Sequence, residues 1–437
     1  GIIERDLRTN SPASLGLMRP VGGDFFSSPV RTGLLWALEG LAWNPDLLPR
    51  TALVLAQLAS VEINDNWTNK PINSLQSIFR AWMPQTAADH DTRVNVVKML
   101  AQKFPRIGWK VCMGQLVHNE SGHYSHKPRW RSDGYGFGEP FPTWGPIHAF
   151  QRDMVDLALS WEEYSFATLS DLVERMQLLS PEHQVRMWDL VAAWGAGSAS
   201  DSDKAMLREK IRTSALSRRA ALQGKRKGGD EALVAAAKAA FQALEPSGLV
   251  NKHLWLFKDH WVDESADELE DVEKIDYQER EKKLSALRVN VLREVYGSVG
   301  AAGLLELASR GRAPWIVGVL APEAIGMESD LESLLTAAFD AVVQGASETT
   351  AYANLIEGTL HAIADDGRRE AVIEAVSATC PEFERARLLM LAPFVRSTWR
   401  LVDALGAEAA NRYWEEVSAD LKRRKADEEQ EGVLRLI

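Results

Sequence analysis

The sequence predicts an all-α protein, an α-solenoid of paired antiparallel helices interrupted by one long irregular loop. Three observations carry that prediction. Runs such as "EALVAAAKAAFQAL" (231–244) consist of strong helix formers. Apolar residues recur at spacings of three and four rather than two. Short polar or proline-marked turns separate the segments, so that a helix pair completes about every 35 to 45 residues. At 437 residues the chain exceeds one ordinary compact core, so several domains or one repeat array are expected.

The elements follow in order. Residues 1–28 read as an N-terminal helix and a loose loop, "NSPASLGLMRPVGGDFFSSP" closing at Pro29. Pro29 then opens a helix whose stripe is Leu34, Leu35, Leu38 and Leu41. Pro45 opens the next, with Leu47, Val54, Leu58 and Val61 along a face. The strings "NSLQSIFRAWM", "DHDTRVNVVKMLAQKF" and "PRIGWKVCMGQLV" each read as one helix. A loop insertion at 118–148 breaks the rhythm, and helices resume near 147–162, 167–179, 181–195, 202–223 and 230–244. In "SPEHQVRMWDLVAAW", Ser180 is the cap, Pro181 and Glu182 form the first turn, and Val185, Trp188, Leu190, Val191 and Trp194 supply the buried side.

Two lobes are expected, at 29–245 and 246–437, joined near the acidic stretch 263–283, which reads as a long solvated helix or a hinge. Further helices are expected near 284–310, 314–321, 329–344, 349–364, 368–378, 381–392, 394–405 and 407–427. Within them "PWIVGVLAP" could pass for a buried strand, but with no second strand to pair with it reads as a short core helix. Stacked helical hairpins of this period are the HEAT or tetratricopeptide kind of architecture.

Composition excludes several function classes. A net charge of -11 and a pI near 5.5 argue against coating nucleic acid or an anionic membrane through the overall field. No apolar run reaches the ~18 residues of a membrane span, and no signal peptide opens the chain. Cys112 and Cys380 lie far apart on apolar segments, read as core thiols, and suit a reducing cytoplasm. The chain starts at Gly1 without an initiator Met, which suggests a piece of a longer protein.

The stretch "HNESGHYSHKPRWRSDGYGFGEPFPTWGPIHAF" (118–150) holds the candidate site residues. His118, His123 and His126, with Cys112 upstream and His148 downstream, could supply imidazoles to zinc. Without paired cysteines or a His-Glu-x-x-His helix, solvated or hydrogen-bonded histidines are the simpler reading, and no cofactor is expected. Lys127, Arg129 and Arg131 alternate with Pro128 and Trp130, so an extended backbone would send the cations to one side and Trp130 to the other. Tyr135, Phe137, Phe141 and Trp144 follow among glycines and prolines. Arginine and tryptophan dominate binding hot spots, so Lys127, Arg129, Trp130, Arg131, Tyr135, Phe137 and Trp144 form a candidate partner-binding set. The competing reading tucks the aromatics against the helices and pairs the arginines with acidic neighbours.

A second basic stretch, Arg208, Lys210, Arg212, Arg218, Arg219 and Lys225 to Lys227, could meet nucleic-acid phosphates, although it lacks aromatics for stacking. Asp365 and Asp366 read as helix stop and cap, and Trp36, Trp188, Trp194 and Trp399 as core. No phosphate-binding loop ending in Gly-Lys-Ser/Thr and no Gly-x-Ser-x-Gly elbow occurs.

The segments "GLLWALEGLAWNPDLLPRTALVLAQLA", "NKPINSLQSIFRAWMPQTAA", "RIGWKVCMGQLVHN", "SHKPRWRS" and "FVRSTWRLVDALGAEAANRYWEEV" resemble the C-terminal helical-repeat region of large bacterial proteins. In those proteins such a region follows a STAND-type NTPase module or a SIR2-like effector, and several act in anti-phage defence. The resemblance implies a sensor that binds a protein partner, phage-derived or cellular, and that is fused to or assembled with an effector. The expectation is therefore a non-catalytic recognition scaffold in the cytoplasm. The alternative is a nucleic-acid-binding or base-excising helical-repeat protein.

Overall fold

A computed structural model describes residues 1–10, 12–18, 30–117, 141–197, 199–227, 231–262, 276–418, 431–432 and 434–435. Among them every regular element is helical, and none is a strand. The first part of the chain carries α1 (Ile2–Asp6), α2 (Ala13–Gly16), α3 (Arg31–Ala42), α4 (Leu48–Leu58), α5 (Pro71–Ile78), α6 (His90–Lys103) and α7 (Pro105–Gly114). Next come α8 (Trp144–Ala158), α9 (Phe166–Glu174), α10 (Pro181–Ala196), α11 (Asp201–Ile211), α12 (Arg218–Lys227), α13 (Glu231–Ala243) and α14 (Leu249–His253). The remainder is α15 (Tyr277–Val299), α16 (Ala301–Arg310), α17 (Pro314–Ile325), α18 (Glu328–Val343), α19 (Thr349–Ala362), α20 (Asp366–Ser377), α21 (Glu382–Met390), α22 (Arg396–Asp403) and α23 (Ala407–Glu416). No helix among the described residues is long and apolar enough to cross a membrane.

The chain divides into two compact units, one of Gly1–Ser198 with Asp230–Ala243 and one of Ala199–Gly229 with Leu244–Ile437. In the first, α3 packs on α4 and α5, α6 on α7 and α8, and α10 on α13. Its core includes Leu35, Leu55, Phe79, Val97, Phe150 and Leu172. In the second, one continuous apolar cluster runs from Val250 to Tyr413, and α17 lies closest to α19. Gly318 and Gly358 make that approach possible, because a Cβ on either would collide with backbone of the facing helix, at Leu355 and Trp315 respectively.

Several expectations hold and several need correction. "PWIVGVLAP" lies within α17 and is helical. Ser180 caps α10, accepting from the His183 backbone N–H at 3.4 Å, and Asp365 caps α20, accepting from that of Arg368 at 2.7 Å. The expected helix at 284–310 is two helices, broken at Gly300, whose φ of 74° is a conformation open to glycine. The expected helix at 202–223 is also split, by a π-helical turn at Arg212–Leu216. Pro49, not Pro45, sits in the first turn of α4.

Trp188 and Trp399 are buried as expected, but Trp36 is 46% exposed and Trp194 is half-buried. On α3 the buried stripe is Arg31, Thr32, Leu35, Leu38 and Ala42, which turns Trp36 and Leu41 outward. Val185 likewise faces solvent. Periodicity located these helices and part of their inner face, with Leu35, Leu38, Trp188 and Val191 buried as expected; on α3 the buried polar side chains Arg31 and Thr32 break the apolar pattern.

Candidate recognition cleft

The cleft is built in the first unit from the ends of three helices. α5 contributes Asn73, Gln76 and Ser77, the turn after it Arg80 and Trp82, the end of α7 Gly114, Leu116 and Val117, and the end of α9 Glu174, Arg175 and Leu178. It is an open cleft of about 570 Å³. Its walls mix polar side chains with a comparable apolar surface from Trp82, Leu116, Val117 and Leu178.

Local contacts fix each donor. The Gln76 side chain crosses α7, where its Nε2 donates to the Lys110 carbonyl at 3.2 Å. Gly114 leaves room for that crossing, since an added Cβ would stand 2.7 Å from the Gln76 amide nitrogen and displace the side chain. Arg80 donates through Nη2 to Ser77 Oγ at 3.2 Å, and its guanidinium lies 5.5 Å from the Trp82 ring centre. Burial lowers the pKa of Arg80. Arg175 Nη1 meets the Asp171 carbonyl at 3.2 Å and the Asp171 carboxylate at 3.4 Å. The same carboxylate accepts from Trp109 Nε1 at 2.8 Å, and Trp109 packs edge-on against Trp161 at 5.1 Å. Both guanidiniums are thus held by neighbours on their own unit, with two cations presented to one cleft.

The cleft adjoins the described residues that flank positions 118–140. Val117, the last described residue before them, lines the cleft. Phe141, the first described residue after them, donates its backbone N–H to the carbonyl of Trp82 at 2.8 Å. Behind that contact, Arg93 of α6 is 3% exposed and sits between two rings, 4.6 Å from the centre of Phe150 and 5.8 Å from that of Phe141. Among the described residues its Nε and Nη1 meet no hydrogen-bond partner, and burial lowers its pKa to about 10, so it keeps its charge at neutral pH.

Lys127, Arg129, Trp130, Arg131, Tyr135 and Phe137 lie outside the described residues, as do His118, His123 and His126. Trp144 is the first residue of α8, is 60% exposed, and stacks on His148 with ring centres 5.5 Å apart. Among the described residues no group of three histidine, cysteine, aspartate or glutamate side chains is placed to hold a metal. Cys112 is buried and its thiol is pushed up to about 12 by that burial, which keeps it protonated and unreactive.

The second basic stretch is not a uniform phosphate-facing surface. Arg212 is buried, pairs through two nitrogens with Glu209 at 2.8 Å, and lies 4.5 Å from the Trp255 ring centre. The side chains of Lys225 to Lys227 are outside the described residues.

Sequence reasoning missed Arg80, Trp82 and Arg175. "NSLQSIFRAWM" reads as one helix, but α5 ends at Ile78, and this early stop is what lets Arg80 and Trp82 line the cleft. Pro84, shortly after, is the local signal that the helix could not continue. Comparison with known protein families, with characterised proteins and with solved structures finds no match to this chain.

Proposed function

We propose that the protein is a recognition scaffold, an α-solenoid of paired helices of the HEAT or tetratricopeptide kind that binds a protein partner at the cleft that adjoins Val117 and Phe141. The observation that carries the reading is the pair of guanidiniums, Arg80 and Arg175, held beside Trp82 in an open cleft that Val117 lines and whose Trp82 carbonyl accepts from the Phe141 backbone N–H. Arginine forks and a tryptophan face suit an acidic or carboxylate-bearing segment of a partner. The loop residues Lys127, Arg129, Trp130, Arg131, Tyr135 and Phe137, together with Trp144, extend that recognition set on sequence grounds. The cleft lining offers hydrogen-bond donors and one carboxylate, Glu174, a composition fitted to binding. The two free cysteines accord with a cytoplasmic setting. The resemblance of the helical segments supports a role in bacterial anti-phage defence, with partner binding releasing or assembling an effector.

The test is affinity capture from bacterial lysates with and without phage infection. The native chain is compared with an Arg80→Glu/Arg175→Glu variant and with an Arg129→Ala/Trp130→Ala/Arg131→Ala variant, all of equal helicity. A partner retained by the native chain and reduced at least tenfold by both variants supports the reading. Capture unchanged by either variant contradicts it.

A further inference from the structure

At the far end of the second unit, α22 presents Arg396, Trp399 and Asp403 at spacings of three and four, which places them on one helical face. The face has a cation at its start, an anion at its end and an indole between. A short segment of the same chain is seated along it. Glu431 accepts from Arg396 Nε at 2.6 Å, and Arg435 donates through Nη1 to both oxygens of Asp403 at 2.9 and 3.0 Å. The Arg435 guanidinium also lies 5.5 Å from the Trp399 ring centre and 5.7 Å from that of Trp414. Gly432 is buried against the ring edges, and an added Cβ there would stand 3.1 Å from both Phe394 and Trp399.

These contacts amount to a code of acid, glycine and base at positions 431, 432 and 435. The segment runs in the same direction as α22, acid toward its start and base toward its end. The surrounding aromatics make the position selective: Phe394, Trp399 and Trp414 form an edge-to-face cluster with centres 5.0 and 6.2 Å apart. Trp399 is buried, and its Nε1 meets no hydrogen-bond partner among the described residues.

We infer that this face of α22 is a docking site for a short linear segment, that the segment carrying Glu431, Gly432 and Arg435 is its resident ligand, and that the ligand is exchangeable with the same segment of a second copy. Exchange is expected because both fastening ion pairs are partly exposed, with Arg396 at 49%, Glu431 at 36%, Asp403 at 51% and Arg435 at 31% side-chain exposure. Such pairs hold weakly. Residence in the same chain is favoured instead by the covalent connection of the segment to its own chain, which makes that binding intramolecular.

The experiment uses the full chain and a fluorescein-labelled peptide of residues 428–437, EEQEGVLRLI, with anisotropy as the readout. The native chain, whose site is filled, should bind the peptide at least tenfold more weakly than an Arg435→Glu chain, whose own segment is disabled. Adding Asp403→Arg to that variant re-forms the pair in reversed polarity and should abolish peptide binding again. Circular dichroism confirms equal helicity of the three chains. Equal affinity for the native and Arg435→Glu chains, or no binding to the Arg435→Glu chain at about 1 mM peptide, overturns the inference.

Discussion

The two units hold their buried arginines alike, with Arg93 of the first as the exception. In the second, Arg288 donates to the carbonyls of Leu256, Asp259 and His260, and Arg369 to the Ile363 carbonyl and Ser397 Oγ, so each closes a loop onto a helix. In the first, Arg31 behaves in the same way, donating to Asp65 at 2.7 and 2.8 Å and to the Asn69 carbonyl at 2.7 Å. Arg93 does not, because aromatic faces replace oxygen acceptors around it. Arginines with a full set of acceptors are structural fasteners. The cation without one stands beside Phe141, whose backbone N–H meets the cleft residue Trp82, and this contrast separates holding the fold from presenting charge.

The contrast can be broken or sharpened in order of expected effect. Gly318→Val should force α17 away from the Leu355 carbonyl and destabilise the second unit by about 3 kcal/mol, seen as an early transition in urea unfolding. Asp65→Ala strands the buried Arg31 and should cost about 3 kcal/mol, read as a lower urea midpoint for the first unit. Arg93→Met fills the same aromatic slot without a charge, and should change stability by less than about 1 kcal/mol in either direction.

A pH titration probes the Asp65 fastening separately. Burial alone would raise the pKa of Asp65, but hydrogen bonds from Arg31 and from the Trp67 backbone N–H outweigh it and hold the group below its ordinary 3.8. Its contribution is therefore present above the unfolded-state value and is lost as pH falls below it. The first unit of the native chain should lose stability on acidification through that range, and that of Asp65→Asn should lose less. The smallest effect is chemical: Cys112 should resist thiol reagents until the protein unfolds, whereas the half-buried Cys380 reacts first.

How much of this was legible in the sequence follows from which residues obey simple periodicity. Helices with apolar stripes and capped starts, such as α10 and α20, were readable because Ser180, Pro181 and Asp365 mark them locally. Breaks made by backbone geometry were not, as the split at Gly300 shows: a glycine between two apolar stripes does not announce a positive φ. The cleft was the least legible feature. Arg80 and Arg175 lie 95 positions apart, and nothing in either local string indicates that they share a wall. What the sequence could offer was the composition of residues 118–148, whose flanking residue Val117 lines the cleft.

The most direct measurement of the recognition claim is site-specific photo-crosslinking to the captured partner. A photoreactive residue is placed either at Val117, which lines the cleft, or at Leu41, which is equally exposed at 46% but lies outside it. The account predicts a crosslink from position 117 that disappears with Arg80→Glu/Arg175→Glu, and none from position 41. Crosslinks of equal yield from both positions, or from position 41 alone, would contradict it.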